Sequence, residues 1–323
     1  MYSSIFSKKI SVLLVISSVS TLLLSGACSK SGSINTLNPQ PALPVGAQRP
    51  EVAAAALIND MSNPKIPDTT IADTSEPEPL NTGAVEEAAF TETLDRILKR
   101  AGIPEDMSRR VLIKAAAGPS FILDLLAVME GDPYLRLLVD KQHPLPDRYA
   151  PDDLVELGGR ASYQVNRSGL LLRRAAEEAL EEMATAAKAE GITLTASSAY
   201  RSYDYQIEVY ARNVRQMGQA AADRESARPG YSQHQTGLVV DFGSIDDSFA
   251  ETRAGRWMTA NAGRFGWSLS FPYGYEAVTG YRWESWHYRY VGRELSFFIG
   301  AYFDDIQQYA LQFIREWERS NGQ

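Results

Sequence analysis

The chain has 323 residues, long enough for one or two domains with hydrophobic cores of their own. Its 32 lysines and arginines against 40 aspartates and glutamates leave a formal net charge of −8, which argues against nucleic acid as a partner. A single cysteine, Cys28, excludes intramolecular disulfides and zinc sites built on several thiolates.

The N-terminus accounts for that cysteine. MYSSIFSKKISVLLVISSVSTLLLSGACSKSG sets Lys8 and Lys9 before an apolar run from Ile10 to Leu24 and small residues after it, the layout of a secretory signal peptide over residues 1–27. LSGAC is similar to a bacterial lipobox, with Ser25 where an aliphatic residue is usual, and predicts lipidation at Cys28. Simple cleavage after Ala27 is the other reading. Loss of residues 1–27 removes two lysines and no acids, taking the net charge from −8 to −10. The expected location is the cell envelope, on a membrane, facing the periplasm or cell wall.

Residues 29 to 84 contain half of the sixteen prolines and no aromatic residue. A segment so poor in apolar surface cannot offset its ordering entropy, so residues 28–85 are expected to be a disordered tether. Residues 86–137 read as a small helical preface. Phe90, Leu94, Ile97 and Leu98 recur at helical spacing, Gly102 and Pro104 end that helix, and further short helices follow.

The main domain is expected over residues 138–292. A long amphipathic helix carries Leu172, Ala176, Leu180, Met183 and Ala187 on one face and stops at Gly191. ITLTASSAY alternates as a strand, and Ser202 is placed to cap the helix SYDYQIEVYARNVRQMG. GLVVDF, WSLSF and HYRYVG are short strands, and RWMTANAGRFG is a helix. Residues 293–323 are expected to form a C-terminal helix docked through Phe297, Ile299, Tyr302, Phe303, Ile306, Tyr309 and Ile314. Helices and strands mix without a βαβ rhythm. The fold class is therefore α+β, a small central antiparallel sheet with flanking helices.

Three histidines make each one conspicuous. His143 precedes Pro144 in a loop with nothing to complement it and is given no role. His234, Asp241 and His287 could supply three protein ligands to zinc. On a continuous strand residues seven apart face opposite ways, but SQHQTG suggests a turn that swings His234 back over the strand end where Asp241 emerges. Asp241, after an apolar run, needs a cationic or donor partner to stay ionised. Glu284, in WESWH, could take a proton from water and return it to a leaving amine if held in an apolar pocket walled by Trp283 and Trp286; the other reading pairs it with Arg282 or Arg289. Arg201, between a strand and a helix start, could bind a terminal carboxylate or steady an oxyanion.

Three stretches, SAYRSYDYQ, ARPGYSQHQTGLVVDF and TGYRWESWHYRYVG, occur in the order and spacing of the D-alanyl-D-alanine carboxypeptidase (VanY-like) family. That family belongs to the zinc peptidases grouped with lysostaphin and the hedgehog domain, and the resemblance spans about 138 to 292. It implies a hedgehog-like peptidase fold and one Zn2+ held by His234, Asp241 and His287. It also implies Glu284 as catalytic base, Arg201 as stabiliser of the transition state, and Gln206 and Ser232 near the substrate. The implied substrate is a peptidoglycan stem peptide, cut as a D-Ala-D-Ala carboxypeptidase. L,D-carboxypeptidase or endopeptidase action on stem peptides is the alternative, and a non-catalytic wall-binding module stands outside that class. Val239, Ser285, and Ser270 with Phe271 depart from the family pattern. None of them is a ligand or the base.

Overall fold

A computed structural model describes residues 82–158 and 162–322; the expected signal peptide, Cys28 and nearly all of the expected tether lie outside these residues. The first helix, α1 (Thr82–Arg100), begins four residues earlier than the spacing suggested. Gly102, at φ 71°, and Pro104 separate it from α2 (Glu105–Ala116), and α3 (Ser120–Glu130) follows.

The chain then forms seven short strands among the described residues. These are β1 (Leu154–Glu156), β2 (Gln164–Val165), β3 (Leu171–Arg173), β4 (Thr195–Ser198), β5 (Val239–Phe242), β6 (Trp267–Leu269) and β7 (His287–Tyr290). Between and beside them run α4 (Arg174–Ala189), α5 (Tyr203–Met217), α6 (Gln219–Glu225), α7 (Arg253–Asn261) and α8 (Glu276–Thr279). Five strands make the main sheet in the order β2-β4-β5-β7-β6. Its pairs are antiparallel except at the edge, where β2 runs parallel to β4. β1 and β3 form a separate antiparallel pair. Leu172, expected on the face of the long helix, belongs to β3; the helix starts at Arg174, after the strand is committed to pairing with β1.

Alternation along the strands sorts the two faces of the sheet. Ala196, Val240, Phe242, Trp267 and Tyr288 pack with Ala176, Leu180, Met183 and Ala187 of α4 in one hydrophobic core. Asp241 and His287, directly opposite each other in the β5–β7 ladder, project from the other face.

The C-terminal segment is two helices rather than one, α9 (Arg293–Phe303) and α10 (Gln307–Asn321). Asp304 at φ 51° and Asp305 at φ 61° make the break, in a left-handed conformation that short polar side chains tolerate better than most. The apolar spacing runs on through Ile306 and Tyr309, so the pattern alone conceals this corner. Phe297, expected to dock, is 61% exposed, whereas Phe298 beside it is buried. Both helices pack with α1–α3 in a second core that holds Leu94, Leu98, Phe121, Leu125, Phe298, Phe303 and Phe313. The first turn of α10 also reaches the sheet side. Gln307 Nε2 donates to Ser268 O at 3.3 Å, and Gln308 Nε2 to Asp140 Oδ2 at 2.7 Å.

Candidate metal and catalytic centre

The turn inferred from SQHQTG is a single 3-10 turn, Gln233–Thr236, closed by Gly237 at φ 69°. A Cβ at 237 would lie 2.9 Å from both Arg173 Cγ and Leu154 Cδ2, so this reversal needs glycine for space as well as for conformation. The turn brings His234 over the strand, with its Nε2 3.2 Å from Asp241 Oδ2. Across the ladder, His287 Nδ1 lies 3.1 Å from Asp241 Oδ1. One donor atom from each of the three residues falls within 4.8 Å of the others, and all three side chains are buried.

Partners on the far side of each imidazole fix which nitrogen is bare. His234 Nδ1 lies 2.7 Å from the carbonyl of Ala199 and must donate to it, leaving Nε2 as a lone pair toward Asp241. His287 Nε2 faces Gln233 Oε1 at 3.4 Å, which leaves Nδ1 bare on the same side. Burial pushes the pKa of His234 down to about 4, against the pull of Asp241, so its ring is neutral at physiological pH. Asp241 Oδ1, despite its nearness to His287, has no hydrogen-bond partner. Two lone pairs and an orphaned carboxylate oxygen converging in a buried space fit a divalent cation with N and O ligands, zinc among them.

Glu284 stands beside these donors, its Oε2 3.4 Å from His287 Nδ1. Its amide donates to Phe271 O, and its carbonyl accepts from His287 N, so a tight turn holds Glu284 and His287 together. Burial, reinforced by the charge of Asp241, raises its pKa well above the ordinary value. The rival pairings are not made. Arg282 Nη1 donates to Asp247 Oδ1 at 2.7 Å, and the buried Arg289 donates to Leu135 O. Of the two tryptophans expected as a wall, Trp286 lines the cleft with Phe271 and Tyr281, while Trp283 packs edge-on to Tyr273 at 5.5 Å.

Arg201 follows β4 and enters the same cleft, a space of about 210 Å³, opposite Glu284 and Asp241. Its Nη1 donates to Gln206 Oε1 at 2.9 Å, and Gln206 Nε2 donates to Ala227 O at 2.6 Å. Gln206 is fully buried and does not line the cleft; it braces Arg201, whereas Ser232 does line it. Ser202 caps α5 by accepting from Tyr205 N at 3.1 Å, which fixes the corner from which Arg201 projects. His143 stays in its loop, with Nδ1 2.8 Å from Asp140 Oδ1. Gln233 and the carbonyl of Ala199, which orient the two rings, were not found by sequence reasoning. The only signal for Gln233 is its place beside His234, and a backbone carbonyl leaves none.

Residues 169–293 match the family profile of VanY, described as D-alanyl-D-alanine carboxypeptidase. YodJ of Bacillus subtilis is 36% identical over 178 residues, which is 53% of this chain and 65% of its own length. The LdcB LD-carboxypeptidase, of known structure, is 34% identical, covering 52% of this chain and 85% of that one, with a TM-score of 0.47. Residues 169–293 thus form a VanY D-alanyl-D-alanine carboxypeptidase domain. A vancomycin resistance D,D-pentapeptidase VanY variant solved in complex with Zn(II) is 29% identical, covering 55% of this chain and 99% of that one, with a TM-score of 0.46. The chain spans less than two thirds of the length of YodJ and of the two enterococcal D-alanyl-D-alanine carboxypeptidases it matches. Arg201, His234, Asp241, Glu284 and His287 all fall inside the VanY segment, while α1–α3 and α10 fall outside it.

Proposed function

We propose that this protein is a zinc-dependent carboxypeptidase that removes the C-terminal D-alanine from peptidoglycan stem peptides. The observation that carries the proposal is the convergence of His234, Asp241 and His287 beside Glu284 in one cleft that also receives Arg201. His234 Nε2, His287 Nδ1 and Asp241 would hold a single zinc ion. When bound there, zinc supplies Lewis acidity toward a carbonyl oxygen and toward water.

The remaining chemistry belongs to the chain's own groups. Arg201, braced by Gln206, offers a fixed guanidinium to the carboxylate that ends the substrate or to the oxyanion that develops at the scissile carbonyl. Glu284 takes a proton from the attacking water and delivers it to the amine of the departing D-alanine. A carboxyl that holds its proton more tightly than an ordinary one is suited to both halves of that cycle. Phe271, Tyr281 and Trp286 keep the surroundings of the carboxylate apolar. Export and a lipid anchor at Cys28 are supported by residues 1–28 and would set the catalytic body in reach of the wall.

L,D-carboxypeptidase action is the second reading, favoured by the 34% identity to LdcB over most of that protein. The test is to incubate the zinc-loaded protein with muropeptides bearing tri-, tetra- and pentapeptide stems, with and without a chelator, and to follow products by mass spectrometry. Conversion of pentapeptide to tetrapeptide, stopped by the chelator, is expected. Conversion of tetrapeptide to tripeptide would move the assignment to the second reading. Zinc retained without any product would replace both with a wall-binding module.

A further inference from the structure

The metal-facing Nδ1 of His287 is bare only while the opposite nitrogen carries the proton, and what sets that proton is Gln233. Gln233 Oε1 receives two groups, His287 Nε2 at 3.4 Å and Ser270 Oγ at 2.7 Å. Its Nε2 faces the carbonyl of Val139 at 3.5 Å. Gln233, Ser270 and His287 are each at most 6% exposed, so a polar group left without a partner among them is costly. Turning the amide over would set its oxygen against the Val139 carbonyl and its NH2 against His287 Nε2. That nitrogen would then have to accept, and the proton would move to Nδ1, where ligation needs a lone pair. Gln307, with its Nε2 committed to Ser268 O, presents only an oxygen to Ser270, at 3.4 Å. The single Ser270 proton goes to the nearer acceptor, which is Gln233.

We infer that Gln233 is a positioning residue that holds His287 in the Nε2–H tautomer, and that Ser270 and the Val139 carbonyl hold the Gln233 amide the right way round. The inference rests on the reading of His287 as a metal ligand. It makes Ser270, one of the departures from the family pattern, part of the support for that ligand. It also makes the two histidines opposite in kind: His234 carries its proton on Nδ1 and His287 on Nε2.

Two measurements test this. Zinc affinity by chelator competition at fixed pH should weaken 10- to 100-fold in Gln233→Leu, the usual cost of removing an outer partner of a metal-bound histidine, and by a smaller factor in Ser270→Ala. Gln233→Glu, which keeps an acceptor for Nε2–H, should bind zinc at least as tightly as Gln233; a merely structural role would not be rescued by it. Separately, two-bond 1H–15N spectra of metal-free wild type should show one buried histidine in each tautomer. Gln233→Leu and Ser270→Ala that match wild type in zinc affinity, or a Nδ1–H His287 in the wild type, would overturn the inference. A wild type that bound no zinc would instead defeat the proposed function, and the tautomer spectra would still decide the role of Gln233.

Discussion

The sheet core and the helical core are built to opposite rules. Around α1–α3, α9 and α10 the buried side chains are almost wholly apolar, with Phe298 within 6.2 Å, ring centre to ring centre, of Phe121, Tyr302, Phe303 and Phe313. Against the sheet, one face is just as apolar, but the other buries two imidazoles, two carboxylates and two glutamines within one neighbourhood. Groups of that kind cost stability unless each finds a partner. The helical core gains stability from packing alone, while the site face gives some up for chemistry.

The strongest way to sharpen this contrast is Glu284→Ala. Loss of a general acid–base should lower turnover of a pentapeptide muropeptide by about 10^3- to 10^4-fold while zinc content stays at wild-type level, since Glu284 is not among the three donors. Phe298→Ala should do the reverse. Urea unfolding should show a loss of about 3 to 5 kcal/mol, with kcat of the folded protein unchanged. A changed kcat there would break the division between the two cores. Arg201→Ala should cost about 10^2- to 10^3-fold in kcat/KM, again by release of D-alanine, the size expected for one lost charge-stabilising donor.

The smallest expected effect is a slope against pH in metal-free protein. His234 is depressed to about 4 from 6.5, so as pH falls the unfolded chain takes up that proton first and stability is lost across the window. Glu284 is raised well above 4.5, so above that pH the folded chain takes up the proton before the unfolded chain does, and stability is gained as pH falls toward 4.5. The two oppose each other in the wild type. Glu284→Gln removes the second, so its own stability by urea titration should fall by about 1 kcal/mol per pH unit as pH drops from 6.5 toward 4, more steeply than that of wild type.

Legibility in the sequence followed the same division. The site was readable because its parts carry local signs. Gly237 marks the turn that returns His234 to Asp241, Ser202 caps the helix after Arg201, and Glu284 keeps its spacing to His287. What escaped lay in pairings that no local pattern records. Leu172 fits either a helix face or a strand, and only the partner strand β1 decides it. The corner at Asp304 and Asp305 interrupts an apolar rhythm that continues on both sides. That α1–α3 and α9–α10 share one core is a contact between segments far apart in the chain, invisible to any window.

The corner between α9 and α10 bears on how this protein can be cut. The segment shared with the family ends at residue 293, where α9 begins. A fragment trimmed to that boundary would lose the Gln307 and Gln308 tethers to Ser268 and Asp140, and would strip Val291 of the helices that cover it. Expression boundaries drawn from that profile alone would therefore leave the sheet without both tethers and without the helical cover at its end.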